Sequence, residues 1–303
     1  MQHEFELIRT LVSTLSAPGE SIVAGPGDDC ACVRIGGELL LISNDEQIED
    51  RHFKRSFPPH GVGYKLIAAN VSDILACGGT PKWVNLSLAL PGNLPQSWIE
   101  ALYRGIDEAC RVFGLSVTGG NTAAADKLHI GAFILGTAKR FVPRSGARPG
   151  DVLMLGGTPG KSRAGLEKLL LGQNDHPFCK AHLYPAVPLH LQPLIETYAT
   201  AAIDISDALA GDLGHLMTQS GVGFEIADPG LLCDGALAAE AGEAAALEYA
   251  LFGGEDYLPL FTVDAAHAAF AQAQGCVAIG RATRETVLKV GQKYITPKGF
   301  EHF

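Results

Sequence analysis

The chain has 303 residues, of which 47% are hydrophobic and 18% charged, and this balance excludes a largely disordered protein. Its 33 acidic residues outnumber 23 basic ones, giving a formal charge of −10, and no cluster of Lys and Arg interrupts them. We therefore expect no nucleic-acid ligand, and an acidic protein that handles phosphates would need cations. No basic leader and no apolar run of bilayer length is present, so we expect a cytoplasmic protein without a membrane partner.

The first half of the chain alternates helical and strand patterns. Periodicity predicts helices over 5–15, 61–77 and 96–113, and strands over 30–35, 38–43, 83–90, 116–118 and 129–137. The Gly36-Gly37 pair is typical of a hairpin turn between the first two strands. Asp29 and Asp45 would then lie at the two open ends of that hairpin.

Residues 140–151 are rich in turn-forming residues and divide the chain. We predict two domains, 1–139 and 140–303, because the chain is longer than a typical single core. The second half is predicted to contain strands over 152–155 and 224–226 and helices over 162–171, 189–198 and 208–220, with an irregular segment rich in Pro and His between them. The expected fold class is α/β (α+β).

Two segments partly match the sequence patterns of known binding sites, a P-loop and a zinc site. Residues 155–162 end in Gly-Lys-Ser, but Gly156 is one residue too close to Gly160 for a P-loop, so we favour a plain turn. His176, Cys179, His182 and His190 match no standard zinc spacing, and we favour an irregular loop there.

Carboxylates recur in short segments flanked by glycine or serine, and magnesium is usually held by a few such groups together with substrate phosphates. These segments are 27–29, 43–45, 72–73, 204–207 and 253–256. Residues 70–76 also resemble residues 204–210, although caps at two helix starts would explain that similarity equally well. The pattern favours an enzyme that uses a nucleotide.

Ten short segments, taken in order, resemble the thiamine-monophosphate kinases over residues 5–303. They are 27–31, 42–45, 52–53, 70–73, 119–122, 144–147, 149–151, 203–207, 253–257 and 298–303. That family belongs to a superfamily with aminoimidazole ribonucleotide synthetase, selenophosphate synthetase and a hydrogenase maturation protein. The resemblance implies a two-domain aminoimidazole ribonucleotide synthetase-like fold, with an N-terminal α/β domain that forms a homodimer and a C-terminal α+β domain that closes over the nucleotide.

The resemblance also implies an activity, in which ATP would phosphorylate thiamine monophosphate directly to thiamine diphosphate with the help of several Mg²⁺ ions. It assigns catalysis to Asp45, Asp73 and Asp207, and ATP binding to Gly120, Asn121, Arg144 and Ser206. It assigns thiamine binding to His52, Glu255 and Phe300. The metal ligands that it implies are Asp29, Ser43, Asn44, Asp45, Asp73, Asn121, Asp204 and Asp207.

Three positions depart from the pattern of the family. Asn44 stands where Thr is usual, Asn121 where Asp is usual, and Ala208 where Gly is usual. Asn121 removes one negative charge from a metal site, which should weaken its hold on magnesium. Two alternatives therefore stand beside the kinase: a related ATP-dependent enzyme with another small substrate, and a weakly active paralogue that binds nucleotide.

Overall fold

The computed structural model describes residues 4–17 and 19–300, apart from the side chain of Phe5. Residues 301–303, the end of the last family segment, lie outside the described residues. Within the described ranges, no helix is both long enough and apolar enough to cross a bilayer.

The first half of the chain contributes three helices and six strands. The helices are α1 (Glu4–Ser13), α2 (Pro59–Ala76) and α3 (Gln96–Phe113). The strands are β1 (Ile22–Ala24), β2 (Ala31–Ile35), β3 (Glu38–Ile48), β4 (Thr80–Leu90), β5 (Ser116–Ala124) and β6 (His129–Ala138). They form one sheet in the order β1-β2-β3-β6-β4-β5, in which only β4 and β5 pair in parallel.

The second half contributes the remaining elements. The helices are α4 (Lys161–Leu170), α5 (Cys179–Leu183), α6 (Gln192–Tyr198), α7 (Leu209–Ser220), α8 (Gly235–Ala241), α9 (Glu243–Phe252) and α10 (Ala265–Ala273). Short 3₁₀ turns cover Leu189–Leu191 and Pro229–Leu232. The strands are β7 (Val152–Leu155), β8 (Ala199–Asp204), β9 (Gly223–Ile226), β10 (Pro259–Val263), β11 (Val277–Thr283), β12 (Leu288–Val290) and β13 (Lys293–Ile295).

The second sheet has the order β13-β12-β9-β11-β7-β10-β8, and only β12 and β9 pair in parallel. The expected α/β (α+β) class and the two-sheet architecture are confirmed. The division into domains 1–139 and 140–303 falls between β6 of the first sheet and β7 of the second. We keep that division as a proposal, because one hydrophobic core includes residues from both halves.

Helix α2 lies between the two sheets and positions the site. It contacts β3 and β6 on one side and β8 and β10 on the other. An α-helix that is apolar on nearly all sides is stable only when it is surrounded by protein, and nearly every residue of α2 is buried. Side chains on α2 therefore meet groups from both halves of the chain.

The structure corrects several sequence-based boundaries. Strand β5 continues to Ala124, whereas the prediction ended it at residue 118. The ladder with β4 brings backbone close at that point, because a Cβ on Gly120 would lie 2.5 Å from the carbonyl oxygen of Leu86. Glycine at this position permits the close approach of two strands.

Strand β3 is also longer than predicted, and it runs to Ile48. Asp45 therefore pairs with Ala132 inside a continuous ladder with β6. It still lies beyond Ala31 and Ile42, the last pair between β2 and β3, and so at the open end of that hairpin as predicted. The segment rich in Pro and His contains the short helix α5, which the sequence did not predict. The pairing partners of β3 and the packing of α5 against α2 and α4 are tertiary contacts that local periodicity does not report.

Candidate functional site

Carboxylates from both halves of the chain meet beside α2. Asp29 precedes β2, Asp73 lies on α2, and Asp204 ends β8. One oxygen from each of these three lies within 4.8 Å of the others. The nearby Ser43 Oγ donates a hydrogen bond to Asp73 Oδ2 at 2.5 Å. Together with Asp45, whose charge acts on Asp73 and Asp204, these residues are called the acidic cluster below.

Burial raises the pKa values of all four carboxyl groups in the acidic cluster. Neighbouring negative charges raise those of Asp45, Asp73 and Asp204 further, whereas Arg144 acts in the opposite direction on Asp29. The pKa of Asp45 rises to about 6, through burial and then through Asp29. Those of Asp73 and Asp204 rise well above their ordinary value for the same two reasons. Buried like charges are unfavourable unless a cation compensates them.

The donor atoms of the acidic cluster suit a hard divalent cation. All of them are oxygens, as Mg²⁺ requires. Asp29 Oδ2 is buried and has no hydrogen-bond partner among the described residues, so it can serve as a ligand. Burial raises the pKa of Asp207 to about 6, and the negative charge of Asp45 also raises it.

Arg144 supplies a side-chain cation that touches the acidic cluster. Its guanidinium donates to Asp29 Oδ1, from Nη2 and from Nε at 3.2 Å, and its backbone N–H donates to Asp28 Oδ1 at 3.0 Å. The Asp29 side chain is 1% exposed and that of Arg144 is 19% exposed. Arg144 thus offsets one buried negative charge.

A pocket of about 740 Å³ adjoins the acidic cluster, shares Asp45 with it, and is also lined by Asp207. This volume is within the usual range for small-ligand sites, roughly 300–1,000 Å³. The pocket also contains the three residues predicted to bind thiamine, which are His52, Glu255 and Phe300. The remaining lining residues are Asn44, Glu46, Gln47, Ile48, Arg51, Ala69, Arg163, Leu166, Ser206, Gly253, Gly254 and Tyr257.

Backbone contacts fix the pocket side chains. Glu255 has a left-handed backbone with φ of 55°, and its N–H donates to the carbonyl of Ser206 at 2.7 Å. His52 Nδ1 accepts from the N–H of Ile48 at 2.9 Å, so the proton of the neutral ring lies on Nε2. The N–H of Phe300 donates to the carbonyl of Asp207 at 3.4 Å.

The structure does not bring every predicted ligand to the acidic cluster. Side chains alternate along a strand, and Ser43 is buried toward α2, so Asn44 lies on the opposite face of β3 from Ser43 and Asp45. Asn121 on β5 pairs with Ser87 on β4, which pairs with Gly131 on β6, which in turn pairs with Glu46 on β3. Asn121 is therefore three strand spacings, or roughly 14 Å, from Glu46. Gly120 and Asn121 lie on β5, away from the acidic cluster of their own chain.

Three residues near the pocket were not singled out from the sequence, and a fourth, His182, was named there only in the rejected zinc pattern. Arg51 and Arg163 line it, while Lys65 and His182 are buried behind Glu255. Lys65 carried one visible signal, since it is a charged residue inside the apolar run of α2. The sequence placed His182 in an irregular loop, because its contact with Lys65 joins residues that are far apart in the sequence.

We expect His182 to limit stability in acid. Burial, and then the charge of Lys65, lower its pKa to about 3 from 6.5. The folded state thus keeps the ring neutral, so its contribution is complete above pH 6.5 and is lost as the pH falls. Between pH 6.5 and 4.5, the free energy of unfolding should fall more steeply in the wild type than in His182→Gln, by up to about 1.4 kcal/mol per pH unit.

Urea denaturation of both proteins in chelator, at intervals through that pH range, measures the difference in slope. Other groups titrate in both proteins and cancel in the comparison. Equal slopes would contradict the neutral, buried state of His182.

Comparison with known proteins places these features in a family. Residues 27–138 match the family model described as AIR synthase related protein, N-terminal domain. The chain is 40% identical to a thiamine-monophosphate kinase of Aquifex aeolicus, over 99% of this chain and 98% of that protein. It is 33% identical to the thiamine-monophosphate kinase of Escherichia coli K12, over 86% of this chain and 82% of that protein.

A solved structure gives the same result. The structure described as AaThiL complexed with AMPPCP and TMP superposes with a TM-score of 0.90 and 39% identity, covering 99% of this chain and 97% of the other. Full-length similarity of this degree, together with the acidic cluster and its adjoining pocket, shows that the chain belongs to the thiamine-monophosphate kinase family.

Proposed function

We propose that this protein transfers the γ-phosphoryl group of ATP directly to the phosphate of thiamine monophosphate, giving thiamine diphosphate and ADP. One observation carries the proposal most strongly: a single pocket joins Asp45 of the acidic cluster and the nearby Asp207 to His52, Glu255 and Phe300. The relatives named thiamine-monophosphate kinase, and the superposed structure with AMPPCP and TMP, support the same reaction.

Two anionic phosphates must meet in this reaction, so catalysis depends on positioning and on cations. We propose that Asp29, Asp45, Asp73, Asp204 and Asp207 hold several Mg²⁺ ions, with Ser43 as a further oxygen donor. When bound, magnesium neutralises charge on the transferring phosphoryl group. Arg144 would contact ATP after leaving Asp29, and Ser206 lines the pocket beside Asp207.

The acceptor requires different chemistry, because thiamine carries a cationic, planar ring. A carboxylate attracts that charge, and an aromatic face favours a cation stacked on it. Glu255 and Phe300 supply these two groups in one pocket, and His52 presents Nε2–H as a donor. We assign thiamine binding to these three residues.

The test is product formation with matched acceptors. Purified protein is incubated with ATP, Mg²⁺ and either thiamine monophosphate or unphosphorylated thiamine, and the products are identified by mass spectrometry. We expect thiamine diphosphate from the first acceptor and no phosphorylated product from the second. Nucleotide binding without thiamine diphosphate would instead favour one of the alternatives, another small substrate or a weakly active paralogue.

We also propose that the protein is a homodimer. Helices α2 and α3 pack together, and α2 covers one face of the first sheet. The other face presents Trp83 and Phe133, which are 41% and 42% exposed, and β5 forms the edge of the sheet with every residue exposed to solvent. A second copy on this face would bury apolar area that is otherwise in contact with water.

We expect Phe133→Glu to convert the dimer to a monomer, because it places a charge on this apolar face. Light scattering coupled to size-exclusion chromatography measures the mass. The matched control is Val112→Glu, which changes an exposed apolar residue on α3 and should leave the mass unaltered. A monomeric wild type, or an unchanged mass for Phe133→Glu, would contradict this interface.

The dimer also gives a role to the predicted ligands that lie far from the acidic cluster. Asn44 and Glu46 share the uncovered side with Asn121 and also line the pocket, so the pocket reaches that side. We propose that Gly120 and Asn121 contact ATP held by the second copy, and that Asn44 contributes at the pocket edge. We place the enzyme in the cytoplasm, where ATP is available and its thiols stay reduced.

A further inference from the structure

A lysine is buried at the centre of α2, where it lies behind the pocket. The Lys65 side chain is 1% exposed and forms an ion pair with Glu255, whose side chain is 27% exposed. Lysine is seldom fully buried unless it is paired, because removing its charge from water is unfavourable. The position therefore needs an explanation beyond packing.

Lys65 Nζ has three partners, which matches its three donors. It donates to Glu255 Oε1 at 2.6 Å and to the carbonyl oxygen of His52 at 3.2 Å. His182 Nε2 lies 3.1 Å away. The first two partners belong to the residues assigned to thiamine, so one buried ammonium group joins both of them.

His182 completes the arrangement from the side away from the pocket. A lysine ammonium can only donate, so His182 Nε2 accepts and the ring proton lies on Nδ1. Nδ1–H then donates to Ser162 Oγ, 3.1 Å away on α4. The ring is fully buried and its tautomer is fixed at both nitrogens.

We propose that Lys65 is a positioning residue for the acceptor substrate, held in place by His182, and that it acts by fixing Glu255 and the backbone of His52. This inference deepens the proposed function and rests on it. Glu255 has a left-handed backbone, which a non-glycine residue adopts only when its surroundings enforce it. The bond to Lys65 fixes the side chain that extends from this constrained backbone, and it keeps that carboxylate ionised toward a cationic ring.

A purely structural ion pair would not explain this geometry as well. Buried ion pairs add little to stability compared with apolar side chains of similar size. Lys65 links α2, in the first half of the chain, to the loop after α9 in the second half, and it does so at the two thiamine residues. Its position is therefore better suited to specificity than to folding.

The experiment is a double-mutant cycle on steady-state kinetics with Lys65→Met, Glu255→Gln and the double variant. Lys65→Met should raise KM for thiamine monophosphate by about 10–100-fold, the range typical of groups that orient ligands in metal sites. KM for ATP should change less than about twofold, since Lys65 touches no residue assigned to ATP. A twofold change in KM is well below a tenfold change, which corresponds to about 1.4 kcal/mol. In the double variant, the two effects should not multiply, because Lys65 acts through Glu255.

Ile67→Val and Ile67→Ala on the same helix are the controls for lost stability, since Ile67 is fully buried and apolar. A control of equal stability should keep the wild-type KM for thiamine monophosphate. Multiplicative effects in the cycle, or an equal rise in both KM values, would overturn the positioning role. Should Lys65→Met fail to fold, His182→Gln enters the same cycle in its place, with the same criteria.

Hydrogen exchange separates this inference from the proposed function. Amides of residues 253–257 should exchange faster in Lys65→Met than in the wild type and in the matched Ile67 variant, whatever the substrate is. If the wild type makes no thiamine diphosphate, the proposed function fails. The positioning role of Lys65 is then tested only by the exchange rates of these amides. Unchanged exchange in that segment would overturn it.

Discussion

Asp73→Asn should abolish turnover and at the same time stabilise the metal-free protein. Asp73 lies among Asp29, Asp45 and Asp204, and both burial and these charges raise its pKa. An amide of the same size removes one buried negative charge but coordinates a cation more weakly. Turnover should fall by about 1000-fold or more, because metal ions supply several kcal/mol and each 1.4 kcal/mol is about tenfold.

Thermal unfolding measures the second half of the prediction. In chelator, Tm of Asp73→Asn should exceed that of the wild type by a few degrees, given that about 1 kcal/mol corresponds to roughly 2–4 °C in chains somewhat shorter than this one. With Mg²⁺ added, the wild type should gain more than the variant. Asp107→Asn, on the exposed surface of α3, is the control and should change neither quantity. A lower Tm for Asp73→Asn in chelator would contradict repulsion within the acidic cluster.

Arg144→Met should have the opposite effect on the metal-free protein. The Asp29 carboxylate is 1% exposed and is paired with this guanidinium, so the substitution leaves a buried charge uncompensated. Breaking such a pair typically costs about 3–5 kcal/mol of unfolding free energy. Urea denaturation in chelator should show a loss of this size.

Two further proteins make this prediction specific. Arg144→Met/Asp29→Asn should recover most of the loss, because it removes the stranded charge as well. Arg104→Met changes an exposed arginine on α3 and should shift the free energy of unfolding by no more than about 0.5 kcal/mol. If the double variant is as unstable as Arg144→Met, packing rather than charge explains the loss.

The long helices could be predicted from the sequence because their patterns are strong. The prediction placed α2 over 61–77 and α3 over 96–113, and the structure has Pro59–Ala76 and Gln96–Phe113. The extents of β3 and β5 were not predicted. Their polar and glycine-containing ends resemble loops until the pairing of β3 with β6, and of β5 with β4, supplies the backbone hydrogen bonds.

The site was predictable to the extent that motifs carry it. The family resemblance implied Asp29, Asp73 and Asp204 among its metal ligands, and the structure brings one carboxylate oxygen of each within 4.8 Å of the others. Their role as ligands stays a prediction. The prediction ended this strand at residue 43, so it did not place Asn44. Alternation of side chains along the full β3 would have placed Asn44 on the opposite face from Ser43 and Asp45. Lys65, His182 and Glu255 could not be connected, because their contact depends on the packing of α2 against the second half of the chain.

The most direct measurement is the stoichiometry of the reaction in Mg²⁺ and after chelation. With ATP and thiamine monophosphate, the purified protein should form thiamine diphosphate and ADP in equal amounts in the presence of Mg²⁺. Both products should disappear in chelator and return when Mg²⁺ is restored. ADP formed without thiamine diphosphate, or undiminished thiamine diphosphate in chelator, would contradict magnesium-assisted transfer to the acceptor phosphate.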